Sequence, residues 1–337
     1  MQRASAALSV LATVFLIIVA TGCGGTSGAS GGGKGKLTLV AYSTPQEAYQ
    51  EIIPAFRKTS AGRGVKFTQS YGGSGEQERA VEGGLAADVV ALSLAPDVDK
   101  LVDAGLVDNS WDKAAHDGFV TNSVVVFEVR KGNPKHVKTW ADLVKPGVDV
   151  ITPNPFTSGG AKWNIMAAYG AQIEQGKSAA EAEGYLGKLF KNVSVLDKSA
   201  REAGQTFSSG KGDVLIAYEN EAITAQQKGE KVGYVIPDQT ILIQNPAADT
   251  SKSKDPTAAK AFVDFLRTDT AQKIYAKHGY RSVNASLVDK SEFPTPSELF
   301  KIDKFGGWSK AGDEFFDPSQ GKVAKIFQSQ GKSTASG

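Results

Sequence analysis

From Leu37 onward, short runs of consecutive apolar residues alternate with longer stretches whose apolar residues recur three or four apart, and clusters of Gly, Ser or Pro mark each change. Residues 37–42 read as a buried strand. Residues 45–58, with Ala48, Ile52, Ala55 and Phe56 on one face, read as a helix that has Pro45 at its first position and Ser43 or Thr44 as its cap. The pair then repeats: a strand over 65–70 before a helix through Gln77 and Val81, and a strand over 88–94 before a helix from Asp97 to about Ala104. Strands alternating with helices predict a mostly parallel sheet covered on both faces.

Residues 123–130 read as a long strand that crosses into a second lobe by way of a helix at 140–144. That lobe continues with an apolar strand at 148–152, a helix after Ser158 carrying Trp163, Met166, Ala167 and Gly170, a helix over 178–190 and a strand at 193–196. The turn Asp197-Lys198-Ser199-Ala200-Arg201 precedes a short helix, and a strand over 213–217 ends at Tyr218. Residues 234–236 and 241–243 read as the return crossover, 256–277 as one amphipathic helix, and a last helix follows Trp308. The expected division is 37–122 with 242–328 as the first lobe and 123–241 as the second, followed by a polar tail at 329–337 expected to be disordered.

The first residues change the picture of where this body resides. Met1-Gln2-Arg3 is followed by an apolar segment from Ala4 to Ala20, short for a membrane span and typical of a signal peptide, expected over 1–22. Ala20-Thr21-Gly22-Cys23 resembles the lipobox of bacterial lipoproteins, which makes Cys23 the expected lipidated residue, with 23–36 as a flexible Gly/Ser-rich tether. Cys23 is the only cysteine, so no disulfide framework or thiolate metal site is expected. The near balance of 38 basic and 36 acidic residues argues against a nucleic-acid partner. His116, His136 and His278 are scattered in polar contexts that suit surface positions better than metal ligation, and no cofactor is expected.

Candidate chemistry sits where strands turn into helices. Backbone N–H groups of a helix's first turn lack intrahelical partners, and at Ser158-Gly159-Gly160 two glycines let an anion approach them. Taken alone, this run is more economically read as an N-cap and a turn. Four such turns alter that weighting: those at Ser43-Thr44, Tyr71-Gly72-Gly73-Ser74-Gly75, Ser158-Gly159-Gly160 and Asp197–Arg201 all fall at the carboxyl ends of predicted strands, where open parallel sheets bind ligands. A small oxyanion held between lobes would collect hydrogen bonds from both, each about 1.5–3 kcal/mol to a charged acceptor, with no Lys or Arg required. No Lys-Ser or Lys-Thr follows the glycines of residues 72–75, so a nucleotide-triphosphate loop does not fit. A serine hydrolase built on Ser74 or Ser158 is the distant alternative, since neither serine sits in a Gly-x-Ser-x-Gly elbow and no histidine lies near the turns.

Tyr71–Gly75, Val129-Arg130-Lys131-Gly132-Asn133-Pro134, Val150-Ile151-Thr152-Pro153-Asn154-Pro155, Ser158–Ala161, Leu189-Phe190-Lys191-Asn192-Val193, 213–217 with Glu219–Ala222, and Phe305-Gly306-Gly307-Trp308 resemble the periplasmic sulfate-binding proteins of sulfate/thiosulfate ABC transporters. The resemblance runs from about residue 37 to 308. It implies an α/β, two-lobed, type II periplasmic-binding-protein-like fold, each lobe a mostly parallel sheet flanked by helices, and a monomer that closes over sulfate and delivers it to membrane permease subunits. By position it places ligand donors at Ser158, Gly159 and Gly160, Ser74 and Ala200, with Arg201 behind them. Ser43 stands where the family often has Asp, and Tyr218 stands where it has a ligand-contacting Trp. Thiosulfate, molybdate and phosphate remain alternative ligands.

Overall fold

The computed structural model describes residues 35–334. The expected signal segment and Cys23 lie outside the described residues, as does the tether up to residue 34; Lys36 already opens β1 (Lys36–Tyr42). β1 lies between β2 (Lys66–Gly72) and β3 (Val89–Ala91) and is parallel to both. Each strand is followed by its helix, α1 (Gln46–Phe56), α2 (Ser74–Glu82) and α3 (Ala95–Asp103). The expected cap of α1 is corrected: Pro45 occupies the cap, and neither Ser43 nor Thr44 bonds the helix start. Their hydroxyls have distant partners instead, Thr44 with the Tyr280 hydroxyl at 2.9 Å and Ser43 with the Arg201 backbone N–H at 3.4 Å.

Two long antiparallel strands carry the chain between lobes. β4 (Phe119–Arg130) pairs through its first half with β9 (Gln239–Asp249) and through its second half with β7 (Val214–Tyr218) and β8 (Val232–Val235). β9 runs on to pair with β3. The return crossover is therefore β9 alone; residues 234–236, expected to share it, belong with β8 beside β4. In the second lobe β5 (Val150–Ile151) lies between β6 (Val193–Val195) and β7, parallel to both, and the helices are α4 (Gly159–Glu174), α5 (Ala179–Asn192), α6 (Ala200–Ser208) and α7 (Glu219–Gln227). The strand order is β2-β1-β3-β9-β4-β7-β5-β6, an open mixed sheet with helices on its faces, and β10 (Glu298–Phe300) adds to β9.

The expected single helix over 256–277 is two, α8 (Pro256–Phe265) and α9 (Asp269–Lys277). Thr268 accepts from the Ala271 N–H and so caps a new helix, while the Arg267 guanidinium fixes the break by donating to the carbonyls of Gly118, Phe119, Val263 and Ala247. The last expected helix is also two, α10 (Gly307–Phe316) and α11 (Lys322–Ser329). Their Ala311, Phe315, Phe316, Val323 and Phe327 join the apolar cluster of Tyr169 and Phe190 on α4 and α5, so this end of the chain packs with the second lobe rather than the first. The first lobe's main cluster instead joins Leu37, Leu39 and Ala41 to Ile52, Phe56, Phe262 and Tyr275. Disorder does not begin at Ser329 as expected, because Ser329 ends α11 and the Lys332 amine donates to the Val193 carbonyl at 2.9 Å.

Candidate anion-binding cleft

The carboxyl ends of β1, β2, β3 and β7 and the first turns of α2, α4 and α6 come together around one small cavity of about 10 Å³. Six of the seven residues expected to face a ligand line it: Ser43, Ser74, Ser158, Gly160, Ala200 and Tyr218. No charged side chain is among its lining residues.

Ser158 has extended backbone and caps α4, its hydroxyl oxygen accepting from the Ala161 N–H at 3.4 Å. The Gly159 and Gly160 N–H groups then belong to the first helical turn, where no carbonyl precedes them in the helix. Side-chain absence matters differently at the two. A Cβ on Gly160 would lie 3.4 Å from Ser158 Oγ, 3.5 Å from Ala200 Cβ and 3.6 Å from Tyr218 Cε1, so its glycine keeps the cavity open. Gly159 does not line the cavity; a Cβ there would meet Ser93 at 2.9 Å, so its glycine allows the first lobe to approach α4.

Ser74 sits in the first turn of α2, but its hydroxyl is fully used: it donates to Asp97 Oδ2 at 2.6 Å and accepts from the Ser93 N–H at 2.8 Å. What Ser74 has left for a ligand is its backbone N–H. Tyr218 reaches Ser93 from the opposite lobe, the two hydroxyl oxygens 2.7 Å apart, and burial pushes the Tyr218 phenol well above its ordinary value. Tyr42, which also lines the cavity, donates to Asn245 Oδ1 at 3.1 Å, and burial pushes its phenol up to about 12. Asn245 in turn donates to the Ser93 carbonyl at 2.9 Å, as does the Trp163 indole at 2.9 Å. All these phenols are protonated at neutral pH.

Arg201, expected behind the ligand, does more than back the site. From α6 its guanidinium reaches across to α1, pairing with both carboxylate oxygens of Glu47 and donating to the carbonyls of Ser43 at 3.2 Å and Thr44 at 3.3 Å. Lys228 adds a second pair to Glu47 at 2.6 Å. Burial alone would raise the Glu47 carboxyl, but hydrogen bonds from Arg201 and Lys228 outweigh it and hold the group at about 2. Closure of the cleft is thus clasped by charge outside the cavity, while the cavity itself is lined by neutral groups.

Sequence reasoning missed Ser93, Tyr42, Asn245, Asp97 and Glu47. Tyr42 ends one predicted strand and Ser93 lies one residue before the end of another, at the same sheet edge as Tyr218, a signal available in the strand register, whereas Asn245 and Asp97 act through tertiary contacts that no local pattern carries. His116 and His136 are exposed, and His278 lies against Glu51 at 3.0 Å. Among the described residues no group of His, Cys, Asp and Glu could hold a metal ion.

Fold and cleft together define a two-lobed solute-binding protein with a small cavity between the lobes lined by N–H and O–H groups at strand ends and helix starts. The chain belongs to the bacterial extracellular solute-binding proteins, which it matches over residues 37–281. It is similar to the sulfate-binding protein of Synechococcus elongatus, with 45% identity covering 91% of this chain and 92% of that one. The sulfate-binding protein of Synechocystis is likewise 45% identical, over 83% of each chain. Among solved structures, the sulfate-binding protein SubI from Mycobacterium tuberculosis H37Rv is 42% identical with a TM-score of 0.81, covering 84% of this chain and all of that one.

Proposed function

We propose that the protein captures sulfate between its lobes and delivers it to the permease subunits of an ABC importer. The observation carrying this reading is the convergence of Ser43, Ser74, Ser158, Gly160, Ala200 and Tyr218, from both lobes, on a cavity with no charged lining. A fully deprotonated oxyanion is satisfied by donors alone, and the relatives named sulfate-binding proteins support the choice of ligand. In a cavity of about 10 Å³ the Tyr218–Ser93 hydroxyl pair parts to admit the anion, and both hydroxyls then donate to it. The ligand set is the backbone N–H groups of Ser74, Gly159, Gly160 and Ala200 with the hydroxyls of Ser43, Ser93, Ser158 and Tyr218, and Arg201 holds the lobes closed over it. Thiosulfate, which replaces one oxygen with a larger sulfur, is the nearest competitor, followed by molybdate and phosphate. A hydrolytic reading has less support: the Ser158 hydroxyl caps α4, and the Ser74 hydroxyl is bonded to a carboxylate and not to a histidine.

Titration of the purified chain with sulfate, followed by intrinsic fluorescence, tests the reading. Saturable one-to-one binding is expected, and Ser158→Asp, which sets a carboxylate against the dianion, is expected to abolish it; native affinity in that variant would move the site elsewhere.

The proposed lobes are 37–122 with the part of β9 from 242 and helices α8 and α9, and 123–241 joined by α10 and α11. The proposed location is outside the cytoplasm, the monomer being held at the cell membrane by a lipid on Cys23, since small residues lead into a lone cysteine before a Gly-rich stretch. Cys23→Ala is expected to leave sulfate affinity unchanged and to shift the protein out of the membrane fraction or block its processing. A processed, membrane-bound Cys23→Ala chain would refute the anchor.

A further inference from the structure

Glu128 stands where the fold calls for an apolar side chain. Along β4, Val125, Phe127 and Val129 pack into the cluster beneath α4 and α5, while Val124 and Val126 face the other way against Ala222 of α7. Glu128 falls on that second face, only 2% exposed, and among the described residues no donor hydrogen-bonds its carboxyl. Arg130, next on the same face, spends its guanidinium on the carbonyls of Phe207, Lys211 and Gly212 and lies over the Phe207 ring. Buried carboxyls in folded proteins are otherwise paired or hydrogen-bonded, because leaving one without a partner is costly.

The carboxyl opens into a cavity of about 330 Å³ between α6 and α7, separate from the small cavity at the strand ends although Thr44 borders both. Glu221 and Glu230 line it with Glu128, and Ser208 and Thr224 add hydroxyls. Arg201 and Lys228 also border it, but both are paired with Glu47. Burial, then the nearby Glu221 and Glu230, push the Glu128 carboxyl up to about 8, and burial pushes Glu221 up to about 7. The carboxyl oxygens of Glu128, Glu221 and Glu230 thus face this space, while the two cations that border it are turned to Glu47.

We propose that this cavity is a second binding site, for a small organic cation bearing N–H donors, an alkylammonium or guanidinium group, with Glu128 as its buried anchor and Glu221 and Glu230 beside it. An anion would meet three carboxyl groups here. A bare metal ion lacks a ligand cluster, since no group of acidic or imidazole side chains among the described residues could hold one. A cation with directional N–H donors matches the acceptors, and by favouring the ionised form of Glu128 it gains charge-assisted bonds, which are the strong ones. The proposal does not depend on which anion the strand-end site takes.

The test is calorimetry of the full chain with methylammonium, ethane-1,2-diamine and guanidinium, with sodium as the ionic-strength control, in the native protein and in Glu128→Gln and Glu128→Leu. Saturable one-to-one binding of at least one nitrogen cation is expected at millimolar concentrations, with no response to sodium. Glu128→Gln should weaken it about tenfold or more, the loss of one charge-assisted bond. Glu128→Leu should abolish the response and melt at a higher temperature than the native chain, because an unpartnered buried acid has been replaced by an apolar group. Sulfate titration of each variant reports that the fold is intact, and keeps failure here distinguishable from failure of the sulfate reading. Absence of saturable cation binding to the native chain, or undiminished binding in both variants, would overturn the proposal.

Discussion

A hydroxyl that already donates to one group and accepts from another has no proton left for a ligand, and Ser74 is in that position between Asp97 and Ser93. Its placement at a helix start was legible from the Gly-Gly-Ser-Gly run, but its side-chain bonding was not, because Asp97 lies in another helix. Tyr218 differs. Its hydroxyl meets the Ser93 hydroxyl, with which it can exchange donor and acceptor roles, and the Asn245 side chain, so no carboxylate holds its proton and it can turn toward an anion. Tyr218→Phe should therefore weaken sulfate binding by the value of one hydrogen bond to a charged acceptor, about 1.5–3 kcal/mol, or roughly tenfold to a hundredfold in Kd. Titration calorimetry checks this, and native affinity in Tyr218→Phe would remove the phenol from the ligand set.

At the scale of elements, the strand-to-helix turns were readable because Gly and Ser punctuate an otherwise regular change of apolar period. The break between α8 and α9 was not, since Leu266, Arg267 and Thr268 continue a helical pattern and only the carbonyls that hold Arg267 end it. Glycine at residue 73 has a second role that sequence could not show. Its φ of −64° suits any residue, yet a Cβ would lie 2.7 Å from the Thr157 carbonyl and 3.0 Å from that of Lys198, both on the opposite lobe. Gly73→Ala should thus fold normally but close poorly. The expected result is a melting temperature within a few degrees of native, since its backbone conformation is ordinary for alanine, and sulfate affinity lower by about tenfold or more, since a contact under 3 Å forces the lobes apart. Unchanged affinity would show that the ligand is bound without this degree of closure.

For the whole molecule, β4 and β9 are the shared strands through which the lobes are joined, and Arg201, Lys228 and Glu47 clasp the cleft at its edge. The alternation of strands and helices made the two-lobed architecture legible, and the long apolar run after Phe119 marked one crossing. Where α10 and α11 dock was not legible: their apolar faces fit any helical layer, and only the partners Tyr169 and Phe190 fix them to the second lobe. This arrangement leaves cationic groups outside the small cavity and N–H and O–H groups lining it, and on the proposed function that separation sets selectivity. Phosphate at neutral pH retains a proton that needs an acceptor, whereas sulfate does not, and an unmet buried donor costs about 1–3 kcal/mol. Calorimetric titration of one purified sample with sulfate and with phosphate at pH 7 tests the central claim most directly. Tight one-to-one sulfate binding with phosphate weaker by roughly tenfold or more is the predicted result; equal affinity for the two anions, or no sulfate binding at all, would contradict a cleft whose neutral lining offers an anion N–H and O–H donors and no carboxylate.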